Sequence, residues 1–293
     1  VRGGVAYDGA PFHGFATNAG VPTVAGLLDE ALSRVLRTQV VVACAGRTDR
    51  GVHAVGQVIS FDAPDDVDLN LLRRSVNRQC GPSVVVSTLQ RAPDDFDARF
   101  SATGRTYRYR ILNRPDADPF TTSRAWHVSD ALDLEAMEAA TTHLVGEHDF
   151  SSFCRRRPPL PDGTAATMVR RITGASWRRL ADDLSGVELL EFEVSAPAFC
   201  HQMVRSVVGT LVDVGRGRLA AGSIPGILAA CDRRAAGEPA PPGGLTFWSV
   251  AYPEEGGASY SGGAPEVGRD RRKPRYGACL TGSRRVAGGG RRP

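Results

Sequence analysis

Val40-Val41-Val42-Ala43-Cys44-Ala45-Gly46-Arg47-Thr48-Asp49-Arg50-Gly51-Val52-His53-Ala54-Val55-Gly56-Gln57-Val58-Ile59-Ser60-Phe61 reads as two apolar runs joined by a glycine-punctuated loop. The runs 40–44 and 55–61 predict two successive strands. The loop's carboxylate, Asp49, then lies where the chain turns over at the end of a sheet. Upstream, residues 2–7 read as a strand. Residues 24–37 read as a helix, because Val24, Leu27, Leu28, Ala31, Leu32, Val35 and Leu36 recur at helical spacing opposite Asp29, Glu30, Ser33 and Arg34. Downstream come a predicted helix over 69–78 and a strand over 84–90.

That order, β-α-β-β-α-β, is the split ferredoxin-like unit, and it returns. Strand 105–113, helix 134–145 with Asp133 as N-cap, strands 170–180 and 187–195, helix 202–214, a short helix after Ser223 and strand 245–251 repeat the topology without repeating the sequence. The expected class is α+β, two ferredoxin-like units sharing a largely antiparallel sheet. Residues 1–95 form the N-terminal half with the loop, and 96–253 the C-terminal half. Residues 254–293, rich in Gly and Arg and lacking apolar periodicity, form a disordered basic tail.

The whole chain of 293 residues carries a net charge of +4. The tail alone holds nine basic residues against four acidic ones. The body is therefore close to neutral, and an anionic partner must be held by a local patch or by the tail. No apolar stretch approaches the roughly 20 residues of a membrane span, and the N-terminus lacks the charged-then-apolar design of a signal peptide. A soluble cytoplasmic protein is the expectation. The six cysteines form no C-x-x-C pair and no Cys/His cluster with metal-ligand spacing. They read as reduced thiols, and neither a metal nor a cofactor is predicted.

Taken alone, Asp49 suits an ordinary Asp-x-Gly turn better than a catalytic role. Arg47 and Arg50 beside it would favour its ionised form, although a surface ion pair would look the same. A glycosidase needs a second carboxylate at defined separation, and none lies near Asp49 in sequence. In 105–110, Arg105, Tyr107 and Tyr109 share one strand face and Thr106, Arg108 and Arg110 the other. Such interleaving suits base stacking beside phosphate neutralisation; an ordinary tyrosine-rich strand with a solvated arginine face gives the same pattern. Arg205 lies beside the apolar stripe Met203, Val204, Val207, Val208 and Leu211, and requires a carboxylate partner, for which Asp49 is a candidate. His53 and His201 read as packing residues, outside the chemistry. The stretch 152–168, with Arg155, Arg156, Arg157 and three prolines, is either a solvated excursion or an RNA-contacting flap.

Four motifs then align with one family: Tyr7-Asp8-Gly9 with Phe12-His13-Gly14, the loop 46–58, residues 96–103 leading into Tyr107-Arg108-Tyr109, and residues 199–209. Over residues 2–252 the chain resembles the bacterial tRNA pseudouridine synthase A family. The resemblance implies that Asp49 is the catalytic nucleophile, that Arg47 assists admission of a flipped base, that Tyr107 stacks on the target uracil and that Arg205 pairs with Asp49. It also implies a homodimer that grips tRNA and isomerises uridine at positions 38 to 40 of the anticodon stem-loop, without a cofactor. Asp49 would either attack the sugar or take the C2′ proton. The chain departs from the family at Phe15, Ala16, Thr17 and Asn18, where relatives carry a tryptophan and glutamines, and at Arg50, where they carry alanine. A non-catalytic RNA-binding or RNA-chaperone protein on the same scaffold is the alternative.

Overall fold

The structure, a computed structural model, describes residues 1–155 and 167–253. The predicted tail, together with Arg156, Arg157 and the three prolines of the basic loop, lies outside the described residues. The first unit comprises β1 (Arg2–Tyr7), α1 (Val24–Leu36), β2 (Ala43–Cys44), β3 (His53–Ser60), α2 (Leu69–Cys80) and β4 (Val84–Gln90). There follow β5 (Gly104–Asn113), β6 (Trp126–Val128), α3 (Leu134–Thr142), β7 (Gly146–Asp149), β8 (Val169–Ile172), β9 (Gly174–Ala181), β10 (Glu188–Ala196), α4 (Met203–Gly215), α5 (Ile224–Ala230) and β11 (Leu245–Ala251).

One sheet runs β4-β1-β3-β11-β5-β10-β9, with β2 on β3 and β6 on β5. The first unit thus has the spatial order β4-β1-β3-β2, and the second the equivalent order β11-β5-β10-β9. Pairing is antiparallel except β5 with β6 and the join between units, where β11 runs parallel to β3 through Thr246 opposite His53 and Phe247 opposite Ala54. The outer edge of β3 is divided: β2 takes Ile59 and Ser60, and β11 takes His53 and Ala54. Amphipathic α1 buries Val24, Ala25, Leu28, Ala31 and Leu32, with Thr23 capping its start. By contrast, α4 is buried almost all round, as a helix wedged between a sheet and other helices requires.

Three expectations need correction. The run 40–44 contributes only Ala43–Cys44 as a strand. Asp29 and Ser33 on α1 accept the backbone N–H groups of Val42 and Val40 at 2.9 Å each, removing them from any ladder. The run 170–180 is two strands in two sheets, because β8 pairs with β7 whereas β9 pairs with β10, with the Thr173 N–H donating to Ser195 O between them. Cys154 and Cys200 are not separate thiols: a disulfide joins them across 46 residues, Cα to Cα 5.8 Å. No local spacing signals such a long-range pair.

The arginine face of β5 is not simply solvated. Glu191 on β10, whose side chain has no exposed surface, receives Arg110 Nε at 2.8 Å and Arg108 Nε at 3.6 Å, and also pairs with Arg178 on β9. Arg108 additionally bonds Glu193 and stacks 3.7 Å from the Trp248 ring centre. Replacing Glu191 with Ala would leave three cations without their shared acid. Because those arginines keep partial access to water, the expected loss is about 2 kcal/mol rather than the larger cost of a fully buried pair. A fall of about 4–8 °C in Tm by circular dichroism would show it; an unchanged Tm would contradict the assignment.

Candidate active site

The loop is fixed from its stem. Gln57 is a polar residue in an apolar strand with no exposed surface, so it must find partners. Its Nε2 donates to Gly46 O at 2.7 Å and to the Tyr7 hydroxyl at 3.3 Å, and its Oε1 accepts from Gly46 N at 3.3 Å. Tyr7 and Thr48 share a 2.8 Å hydrogen bond, both buried. Burial raises the Tyr7 phenol against the opposing bonds from Thr48 and Gln57. The Tyr7-Asp8-Gly9 turn closes over the loop: a side chain at Gly9 would lie 2.1 Å from Val52 O. His53, buried, sets Nδ1 3.1 Å from Gly9 N and 3.0 Å from Asp8 Oδ1, and Nε2 3.1 Å from Ser123 O. Gly51, at φ +78°, makes the turn that returns the chain to β3.

Asp49 stands at the tip, about a quarter exposed. Arg205, in the first turn of α4, donates from Nη1 to Asp49 Oδ2 at 3.3 Å, and His201 Nε2 lies 3.1 Å from Oδ1. Arg205 is itself held, its Nε donating to Ala240 O at 2.7 Å. A side chain at Gly209 would meet Glu238 O at 1.8 Å, so the 237–240 segment lies directly on α4. Among the described residues, Asp49 therefore takes its ion-pair partners from the other half of the chain, not from Arg47 or Arg50 beside it.

These groups line a cleft of about 410 Å³. Tyr107 lies in it, buried, with its ring 5.0 Å from Phe199 and 4.9 Å from Phe247 in edge-to-face contacts. Burial raises the Tyr107 phenol, with smaller contributions from Tyr7 and Asp49. Arg47 and Arg99 are exposed in the lining, beside half-buried Arg105 and Arg170. Arg105 is engaged, its Nε donating to Ala45 O at 2.9 Å. Asp49 is the only acid in the described lining. The structure thus brings together Asp49, Arg205, Tyr107 and Arg47. Tyr109 is buried outside the cleft lining, its hydroxyl donating to Pro241 O, and Arg50 is exposed and not part of the lining.

Sequence reasoning set His201 aside, yet it touches Asp49. Its position, four residues before Arg205, was the available signal. The Gln57 network was also missed, although a lone carboxamide in a buried strand points to one.

Two ferredoxin-like units joined edge to edge into one sheet, with a cleft at the seam, define the class as the pseudouridine synthase fold, and the chain's match to the family of that name makes it an isomerase. The tRNA pseudouridine synthase family matches residues 5–101 and 140–253, and the chain belongs to it. The tRNA pseudouridine synthase A of Brevibacillus brevis is 41% identical over 248 residues, spanning 85% of this chain and 97% of that protein. The protein of the same name from Frankia casuarinae is 44% identical over 253 residues, spanning 86% and 88%. That from Geobacillus kaustophilus is 39% identical over 253 residues, spanning 86% and 93%.

Cys44 also lines the cleft, yet burial pushes its thiol up to about 11, against the opposing pull of Arg47, Arg99 and Arg105. It stays protonated at neutral pH and is a poor nucleophile. Iodoacetamide at pH 8 should label exposed Cys231 more than about tenfold faster than Cys44. Peptide mapping by mass spectrometry checks this, and equal labelling would contradict it.

Proposed function

We propose that the protein converts uridine to pseudouridine at positions 38 to 40 of the tRNA anticodon stem-loop, with Asp49 as nucleophile. The observation that carries this reading is a single acid in the described cleft lining, held by an arginine from the opposite unit. Isomerisation needs no more. Attack of the Asp49 carboxylate on C1′ sends the C1′–N1 bonding pair onto the uracil. The uracil turns within the cleft, and C5 attacks C1′, displacing the carboxylate. The C5 proton is then lost and N1 gains one, so the product is an isomer of the substrate. A hydrolase would need a second acid to serve water or the leaving group.

The target base must leave its stack, at a cost of about a few kcal/mol. Tyr107, braced by Phe199 and Phe247, offsets this by stacking on the uracil. Arg47, exposed at the cleft, assists admission of the base. The protein acts in the cytoplasm as a homodimer that binds tRNA across both subunits. Among the described residues no helix is long and apolar enough to cross a membrane.

Asp49→Asn should abolish product while leaving tRNA binding largely intact. Single-turnover reaction with unmodified tRNA and product chromatography decides it. Product from the variant would sink the nucleophile assignment. Tight tRNA binding by the wild type with no isomerised base would instead favour a non-catalytic RNA-binding protein, and free uracil would favour a hydrolase. Tyr107→Phe should retain turnover, because the ring remains. Tyr107→Ala should lose it by about 10- to 100-fold, the equivalent of one base stack; an active Ala variant would remove the stacking role.

A further inference from the structure

We infer that His201 is a second positioning residue for Asp49, holding the carboxylate oxygen that Arg205 does not. The inference rests on the nucleophile reading above. Arg205 Nη1 engages Oδ2 at 3.3 Å, and His201 Nε2 lies 3.1 Å from Oδ1. A carboxylate oxygen only accepts, so the imidazole holds Oδ1 in the ring form that carries its proton on Nε2. One partner alone leaves the carboxylate free to swivel about its Cβ–Cγ bond. Partners on both oxygens fix its plane, and each oxygen keeps lone-pair capacity for the reaction. Small errors in the placement of a reacting group are costly, so a fixed plane bears directly on rate.

The backbone is built to hold this imidazole in place. His201 belongs to the turn that enters α4, where Gln202 adopts φ +64° and redirects the chain into the helix. His201 O accepts from Arg155 N at 3.0 Å, and the preceding Cys200 is joined to Cys154. Both anchors lie on the stretch after β7, so the turn is held from a second element while Arg205 is held by Ala240. The His201 side chain is about one-third exposed and lines the same cleft as Tyr107. An imidazole that merely met an acid at the surface would not affect turnover.

The test uses the full chain, unmodified tRNA, and the variants His201→Ala, His201→Gln and Asp49→Asn. His201→Ala should lower kcat by about 10- to 100-fold with KM for tRNA changed less than about threefold, the signature of a group acting on the chemical step. His201→Gln, whose amide N–H reaches the same oxygen, should recover kcat to within about fivefold of the wild type. A wild-type kcat in His201→Ala overturns the inference, as does a loss confined to KM. Equal loss in the Ala and Gln variants also overturns it, because that is the mark of damaged folding rather than of a missing donor. Asp49→Asn separates the two readings. If it retains turnover, the nucleophile assignment fails; if it is inactive while His201→Ala is unimpaired, only the role of His201 fails.

Discussion

The parallel contact between β3 and β11 is the constraint on which the rest of the molecule depends. It is short, Thr246 opposite His53 and Phe247 opposite Ala54, but it joins two units into one sheet. It also sets their register at the point where the Asp49 loop ends. Phe247 leaves this seam to touch Tyr107, and its ring would lie 3.0 Å from a side chain at Gly46. One residue therefore spaces the loop from the aromatic floor. β2 leaves the start of β3 to β11, because it ends at Cys44 opposite Ile59 and the chain then turns into the Asp49 loop instead of running on beside His53 and Ala54.

Much of this was legible in the sequence because it depends on periodicity. The helical spacing in 24–37 and the apolar strands on either side placed the units, and the units placed Asp49 at a sheet end. What was not legible depends on contacts between distant segments. The split of 170–180 into two strands follows from partners on β7 and β10, not from anything within the run. The Cys154–Cys200 bond is of the same kind. In the site, Arg47 and Arg50 beside Asp49 suggest a local counter-charge, while Arg205 is the distant candidate partner, and the structure pairs Asp49 with Arg205 and adds His201. Folding brings the counter-charge from α4 and from the turn before it. Local charge pattern is a poor guide wherever a loop tip faces another unit.

The two ends of the Asp49 loop are treated differently, and the difference is chemical. At the stem, both backbone polar groups of Gly46 are bonded to one buried carboxamide, which passes on to Tyr7 and Thr48. Buried polar groups of this kind are costly if any partner is lost, so the network has one stable arrangement. At the tip, Asp49 keeps partial access to the cleft. Rigid support for an accessible carboxylate is what the nucleophile role proposed for Asp49 requires.

Arg50 fits the same division. It follows Asp49 directly, but it is exposed and absent from the cleft lining, while the carboxylate's partners come from His201 and Arg205. Its charge therefore acts at the outer surface and is screened there by salt over about 10 Å. An arginine beside the proposed nucleophile is thus compatible with the site's geometry, because the Arg50 side chain is exposed and lies outside the cleft lining. Within that space the alignment of Asp49 is decided by α4, and the two halves of the chain must be joined before either holds a complete site.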